Sequence, residues 1–169
     1  MAAFNYITKV DITSSVVNFT ISSIPATYTH LLLVFGAQCT QTNTDGELLT
    51  GWRDANFNNG YGLYTNGSGG GYYTQSQGAA SDLGSGGSVP AGHRSSYRVL
   101  LPRYSDSDNY KIQFGYGGIP AISSDAALIQ SFNTGFDTNN AAVSSYTFGS
   151  AQTPYNKAYV WLYGLNNSN

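Results

Sequence analysis

The segment 14–38, SSVVNFTISSIPATYTHLLLVFGAQ, decides the fold class of this chain. Val17, Phe19 and Ile21 alternate with polar residues, which predicts a strand with one buried and one solvated face. Pro25 ends that strand, because proline has no N–H to donate to a neighbouring strand. Residues 30–38 are apolar on both faces, so we expect a central strand with the core on one side and a neighbour on the other.

The rest of the chain shows the same period of two in short segments separated by Gly, Asn, Asp or Pro. Strands are predicted at 4–11, 97–101, 110–116, 127–132, 143–148 and 158–165, with weaker ones at 47–53 and 60–65 flanking an Asn59-Gly60 turn. Helical stripes are scarce. We therefore expect an all-β protein, an antiparallel β-sandwich of jelly-roll type that forms one domain over residues 1–169.

Residues 66–92 form a segment that is rich in glycine and poor in aliphatic side chains. Such a segment cannot build a core of its own, so we predict a long surface loop that orders against a partner. Tyrosines on a Gly/Ser backbone are typical of adaptable binding loops. Together with two aromatic residues of the last strand they form the predicted interface: Tyr61, Tyr64, Tyr72, Tyr73, Trp161 and Tyr163.

The composition favours packing over catalysis. Charged residues are 9% of the chain and aromatic residues 14%, so a surface of this kind can pack against copies of itself without desolvating many charges. The same surface suits a glycan. A net charge of -2 gives no reason to expect nucleic acid or a membrane as partner. The lone Cys39 cannot form an internal disulfide bond and is predicted to be a buried apolar residue.

The ionisable residues do not form a recognisable catalytic or metal-binding motif. His30 and His93 lack metal-ligand spacing, and we expect structural or interface roles for both. The run 106–109 offers carboxylates at Asp106 and Asp108 that a calcium ion could use, but a polar hairpin loop is the favoured interpretation. We predict no enzymatic activity, no cofactor and no metal.

Two further clusters have alternative interpretations. Asn43, Asp45 and Glu47 surround Gly46 and form a second weak cation cluster, again with a polar loop as the favoured interpretation. The run 52–54, Trp-Arg-Asp, could present an aromatic face and a charge pair to a glycan, although a lone tryptophan in a strand more often belongs to the core.

The segment 14–38 resembles part of a family of small tailed-phage virion proteins. Those proteins carry a stretch that is matched in order here by Val17, Phe19, Ser23, Ile24, Pro25, Thr27, Tyr28, Thr29, His30 and Leu31. The resemblance continues at Asp45-Gly46 and ends with YVWLYGL at 159–165, which is similar to the family's closing Leu-Tyr-Gly-Ile/Leu. The two ends of the chain carry it, and 66–92 is not diagnostic.

The resemblance implies a virion structural protein with a β-sandwich fold, assembled in the host cytoplasm. Its expected role is a capsid decoration or cement protein that contacts copies of itself, as a trimer, and the major capsid protein or tail proteins. The alternative is a tail or fibre-associated adhesion module that binds a host surface polysaccharide. A hydrolase has no residue constellation to support it.

Overall fold

A computed structural model describes residues 4–16, 18–39, 49–50, 57–66, 69–75, 81–82, 94–119, 129–137, 140–149 and 155–166. Every regular element in these ranges is a strand, so the expectation of an all-β protein is confirmed. The strands are β1 Phe4–Ile12, β2 Asn18–Ile21, β3 His30–Cys39, β4 Leu49–Thr50, β5 Phe57–Asn66, β6 Gly69–Gln75, β7 Ser81–Asp82, β8 Arg94–Leu101, β9 Lys111–Ile119, β10 Ile129–Asp137, β11 Tyr146–Gly149 and β12 Tyr155–Leu165. None of the ranges contains a helix long and apolar enough to cross a membrane.

The strands pair into two sheets. The larger has eight strands in the order β1-β12-β3-β8-β9-β10-β5-β6, and the smaller has four in the order β2-β11-β4-β7. All pairings in both sheets are antiparallel. The predicted central strand is β3, which lies between β12 and β8.

The core lies between the two sheets, where alternate residues of each strand point inward. Phe35 of β3 stacks on Phe148 of β11 with ring centroids 4.7 Å apart, and Phe148 stacks on Phe19 of β2 at 5.1 Å. Offset-stacked rings of this kind bury large apolar areas and add a specific attraction. The remaining buried hydrophobic residues of the cluster are Ile21, Ile24, Leu31, Leu33, Ala37, Tyr97, Val99, Leu101, Tyr104, Val143, Tyr146, Ala158, Val160 and Leu162.

The predicted Asn59-Gly60 turn is wrong, because both residues lie inside β5. That strand pairs with β10 on one side and β6 on the other, and its register with β10 shifts between Gly135 and Asp137. An extra residue in one strand of an antiparallel pair produces a β-bulge. The Asn-Gly signal therefore coincides with a bulge in a continuous strand.

The segment 66–92 is only partly the loop that its composition predicts. Backbone pairing places 69–75 in β6 beside β5, and 81–82 in β7 beside β4. Glycine lowers strand propensity, but pairing with an existing neighbour supplies the hydrogen bonds that local propensity lacks. The rest of the segment lies outside the described residues, as do Val17, the clusters at 43–47 and 52–54, His93, and the side chain of Cys39.

Candidate interaction surface

The side of the eight-stranded sheet that faces away from the core carries the largest group of exposed aromatic side chains in the described residues; we call it the aromatic face. Most of its members occupy three cross-strand rows. The first row is Tyr6, Tyr163, Leu32, Leu100 and Phe114; the second is Lys9, Trp161, Val34, Arg98 and Tyr116; the third is Asp11, Tyr159, Gly36 and Ser96. Side chains opposite one another in a row are close neighbours on the same face.

One corner of the aromatic face is a three-ring cluster on β1 and β12. Phe4 and Tyr6 are both 62% exposed. Their rings meet that of Tyr163 edge to face, at 6.4 Å and 6.0 Å between centroids. Edge-to-face contacts are a favoured geometry for aromatic pairs, so the cluster is held in place while much of its apolar surface stays in solvent.

The middle of β12 adds Trp161, which is 40% exposed, and Tyr159. The ring of Tyr159 lies over Gly36 of β3, where an added Cβ would stand 2.5 Å from ring atoms. Glycine at this position therefore lets the ring lie close to the sheet. Lys9 stands 6.0 Å above the Trp161 ring and forms an ion pair with Asp11 at 2.8 Å.

The other half of the described face is more aliphatic. Leu100 and Ile112 are partly exposed on β8 and β9, and Tyr116 is 55% exposed. Arg98 is exposed between them. Exposed apolar groups that share one face of a soluble protein are candidate interaction sites, so the aromatic face is the candidate interaction surface of the described residues.

The predicted interface residues divide into three groups. Trp161 and Tyr163 lie on the aromatic face. By backbone register, Tyr61 of β5 is opposite Thr134 and Tyr72 of β6 is opposite Leu63, which continues the first and second rows. Tyr64 and Tyr73 occupy the alternate register positions and so do not belong to these rows. The side chains of these four tyrosines lie outside what the structure describes.

Sequence reasoning did not select Phe4, Tyr6, Tyr159 and Tyr116 as interface residues. For the residues of β1 and β12 the available signal was the alternation at 4–6 and 159–163, where aromatic residues occupy every second position. Alternation alone leaves open which of the two faces is the core. Packing against the smaller sheet decides this, because it buries Val160 and Leu162 and so leaves Tyr163, with Tyr6 opposite it, on the other side.

The segment 22–31 lies within the stretch that carries the family resemblance, and it forms a corner that other parts of the chain hold in place, among them residues 104–105 and the end of β12. Tyr104 donates a hydrogen bond from its hydroxyl to the Pro25 carbonyl, and Ser105 donates one to the Tyr28 carbonyl at 2.8 Å. The Thr29 N–H donates to the Leu165 carbonyl at 3.0 Å. These hydrogen bonds fix the corner, so most residues of the segment 22–31 have a structural role.

Two side chains of the same corner have further structural contacts. The ring of Tyr28 packs directly over Gly164 of β12, where a Cβ would collide with it. His30 accepts a hydrogen bond at Nδ1 from the backbone N–H of Arg103, at 3.1 Å. Arg103 has a positive φ of 51°, an uncommon conformation for a non-glycine residue.

The loop 102–110 connects the paired strands β8 and β9, and its organising group is Lys111. This side chain is only 1% exposed. Its ammonium donates to the backbone carbonyls of Asp106 at 2.5 Å, Asn109 at 2.7 Å and Asn140 at 2.9 Å. A buried charge is tolerated when hydrogen bonds replace its hydration, and here three carbonyls do so.

The Asp106 and Asp108 carboxylates, which suggested a calcium ion, belong to this loop. The Asp106 carboxylate forms an ion pair with Arg103 at 2.6 Å, and Asp108 is exposed. The backbone carbonyls of the loop point to the lysine ammonium. Within the described ranges there is no group of three or more His, Cys, Asp or Glu residues that could hold a metal ion.

Tyr104 is fully buried beneath the corner. Burial raises the pKa of its hydroxyl above the ordinary 10.0, while a hydrogen bond with the Tyr28 backbone acts in the opposite direction. The hydroxyl therefore stays protonated at neutral pH and serves as a donor. A second buried polar contact joins Tyr146 to Gln113, with the tyrosine hydroxyl 2.8 Å from Oε1.

Comparison with known proteins identifies no family. No family model and no curated protein matches the chain. A structure of the alginate lyase Aly36B is similar at 13% identity and a TM-score of 0.32, over 94% of this chain and 80% of that one. A mutant of the same lyase in complex with alginate tetrasaccharide is similar at 11% identity and a TM-score of 0.23, over 95% and 80%. These likenesses are too distant to indicate an activity or a substrate.

Proposed function

We propose that this chain is a non-enzymatic virion structural protein, a capsid decoration or cement protein of a tailed phage, that works by packing through the aromatic face. The observation that supports the packing role is the exposure of Phe4, Tyr6, Trp161 and Tyr116 on one side of the larger sheet in a charge-poor chain. Interface cores are enriched in aromatic residues and depleted in charge. The phage context comes from the sequence resemblance at both ends of the chain.

The contacts of the resembling segment support a structural reading of that resemblance. Ile24 and Leu31 are buried, and Pro25, Tyr28 and His30 have intramolecular partners in the corner. A motif of this kind preserves a fold. The finer assignment to the jelly-roll type is part of the same proposal, supported by two antiparallel sheets packed around a common core.

The proposal is tested on particles. Mass spectrometry of gradient-purified virions from the phage that encodes this chain should detect it in stoichiometric, repeated copy number. Particles from a gene deletion should lack a regular layer of density in a low-resolution map. They should also fall apart at a lower temperature than wild-type particles. A chain that is absent from purified particles would end the proposal.

The alternative function is adhesion, in which the same face binds a host surface polysaccharide. The observation in its favour is the Tyr159 ring, which lies over Gly36 with the neighbouring Trp161 ring 5.9 Å away. Exposed rings can stack against the apolar faces of sugar rings.

A glycan array and a cell-binding assay separate this alternative from packing. Adhesion predicts binding that is lost in Trp161→Ala and retained in Tyr110→Ala, which removes an exposed aromatic residue from the 102–110 loop. No binding by the wild-type chain would leave the packing role as the sole proposal.

A further inference from the structure

The edge of the eight-stranded sheet at β1 is open to a further strand. Among the described strands, β1 pairs with β12 alone, so the other side of β1 has no strand beside it. Alternate residues of an edge strand direct their N–H and C=O groups away from the sheet, where another strand can bind them. The register with β12 shifts between Tyr6 and Thr8, which leaves residues 8–12 as the regular part of this edge.

The core is incompletely covered along the same edge. Val10 and Ile12 share the inner face of the sheet with Val160 and Ala158, which lie opposite them on β12. The two β12 residues are buried, whereas Val10 and Ile12 are only partly buried, as is Val16 just after β1. A strand added beside β1 would cover more of these aliphatic side chains, and the burial of apolar surface favours its addition.

The outer face of the segment 8–12 carries one cation and one anion. Lys9 and Asp11 form an ion pair at 2.8 Å, and their side chains are still 39% and 54% exposed. A lysine on an edge strand deters pairing with an unrelated strand. It permits a strand that offers a carboxylate directly opposite. β1 itself is such a strand, because Lys9 and Asp11 stand one residue to either side of Val10.

We propose that the edge of β1 binds a second copy of the same chain, with the two β1 strands paired antiparallel about a two-fold axis at Val10. In this register Val10 faces Val10 of the other copy, and Thr8 faces Ile12. Lys9 of each copy faces Asp11 of the other, so every contact occurs twice, as an isologous interface requires. Opposite charges at facing positions of antiparallel strands stabilise the pair.

Backbone and charge contribute together to this contact. Pairing of 8–12 with its copy forms about four to six backbone hydrogen bonds, depending on which facing pairs carry them. Main-chain hydrogen bonds supply the affinity when a strand adds to a sheet edge. The two lysines and two aspartates alternate around the axis, and such a network is worth more than an isolated surface ion pair.

The contact goes beyond the packing role proposed above, because it uses the edge of the sheet and not its aromatic face. Antiparallel strands of one sheet keep each face on the same side, so the two large sheets join into one continuous sheet. The two aromatic faces then lie side by side and stay available to another partner. A two-fold contact closes at two copies, so the species expected in solution is a dimer and not the trimer that the resemblance implies.

Charge reversal tests the register. Wild type should sediment as a dimer. Lys9→Asp leaves two aspartates on each β1 strand and Asp11→Lys leaves two lysines, so each variant alone has like charges facing across the axis. Each should raise the dimer dissociation constant roughly tenfold. An equal mixture of the two variants should restore a tight heterodimer, because every facing pair again joins aspartate to lysine. Native mass spectrometry, with heavy nitrogen in one variant, separates the heterodimer from the homodimers.

The matched controls make the same charge changes at exposed positions away from this edge. Arg98→Asp lies on β8 and Asp108→Lys lies in the loop 102–110, and both should leave the dissociation constant unchanged, alone and mixed. A monomeric wild-type chain would overturn the pairing, whatever the particle experiments show. So would a mixture of Lys9→Asp and Asp11→Lys with no more heterodimer than random association gives. The presence of the chain in particles bears on the proposed function alone.

Discussion

At the scale of single residues, two buried polar side chains hold the loops above the core. Lys111 joins three backbone carbonyls from two loops, and Tyr104 joins the corner at Pro25. A hydrogen bond adds only about 1 kcal/mol to stability, but a buried polar group left without its partner costs about 1–3 kcal/mol. Removing either donor should therefore destabilise the fold more than the loss of a polar side chain on the surface would.

Replacement of Lys111 by Met should lower the free energy of unfolding by about 2–4 kcal/mol, because the carbonyls of Asp106, Asn109 and Asn140 lose their donor. Urea denaturation followed by circular dichroism measures this. Lys9→Met is the matched control, since Lys9 is 39% exposed in a surface ion pair and should change stability by less than about 1 kcal/mol. Equal effects of the two substitutions would contradict the role given to Lys111.

Chelation and calcium provide a second check on the same loop. Because the carbonyls of Asp106 and Asn109 already bind the Lys111 ammonium, we expect the melting temperature to be the same in EDTA and in millimolar calcium. A calcium-dependent rise that disappears in Asp108→Asn would instead indicate a cation site at 106–109.

Tyr104→Phe should cost about 1 kcal/mol at neutral pH through loss of the bond to Pro25. Its effect also depends on pH. Burial raises the pKa of the folded-state hydroxyl above 10.0, so the native chain holds this proton more tightly than the unfolded chain. The associated stability is fully present below pH 10.0 and is lost as the pH rises above it.

The measurement is the free energy of unfolding against pH from neutral to alkaline, for wild type and Tyr104→Phe. The difference between the two should shrink above pH 10.0. Tyr110→Phe, which removes an exposed hydroxyl, should match wild type at neutral pH. A constant difference across the range would argue against the raised pKa.

At the scale of strands, tyrosine rings that lie directly over glycine residues pack on both faces of the sheet around β12. On the core face the Tyr28 ring lies over Gly164, and on the outer face the Tyr159 ring lies over Gly36. The first ring is confined by the corner, whereas the second can swing toward solvent. A glycine-to-alanine substitution can therefore be compared at two sites, one beside a ring that is held in place and one beside a ring that can move.

Gly164→Ala should lower the free energy of unfolding by about 1–3 kcal/mol, because the new methyl group overlaps a ring that cannot move freely. Gly36→Ala should cost less than about 1 kcal/mol, since the far end of Tyr159 can shift. Denaturant unfolding of both variants gives the comparison. If Gly36→Ala proved the more damaging of the two, the confinement assigned to Tyr28 would be wrong.

At the scale of the whole molecule, the sheet depends on contacts between distant parts of the chain. β12 lies between β1 and β3 and contributes Ala158, Val160 and Leu162 to the core. β1 is at the sheet edge and contributes only partly buried side chains. The two strands should therefore differ in how far the fold tolerates their loss.

Deletion of 1–12 should leave a folded chain that is less stable by about 3 kcal/mol, given three partly buried aliphatic side chains. Deletion of 158–169 should abolish folding, because β3 loses one of its two neighbouring strands and the core loses Ala158, Val160 and Leu162. Amide dispersion in proton NMR spectra distinguishes the two. A folded chain without 158–169 would show that β12 is dispensable.

The alternation in 17–21 and 159–165 by itself determined that this is a strand protein and which residues of each strand share a face, since successive side chains point to opposite sides. It did not determine that Lys111 is buried or that Asn59-Gly60 lies within a strand. Those outcomes depend on which distant strands pair and in what register. Only the tertiary structure decides that, because β1 and β12 meet across nearly the full length of the chain. The aromatic face exists through that pairing.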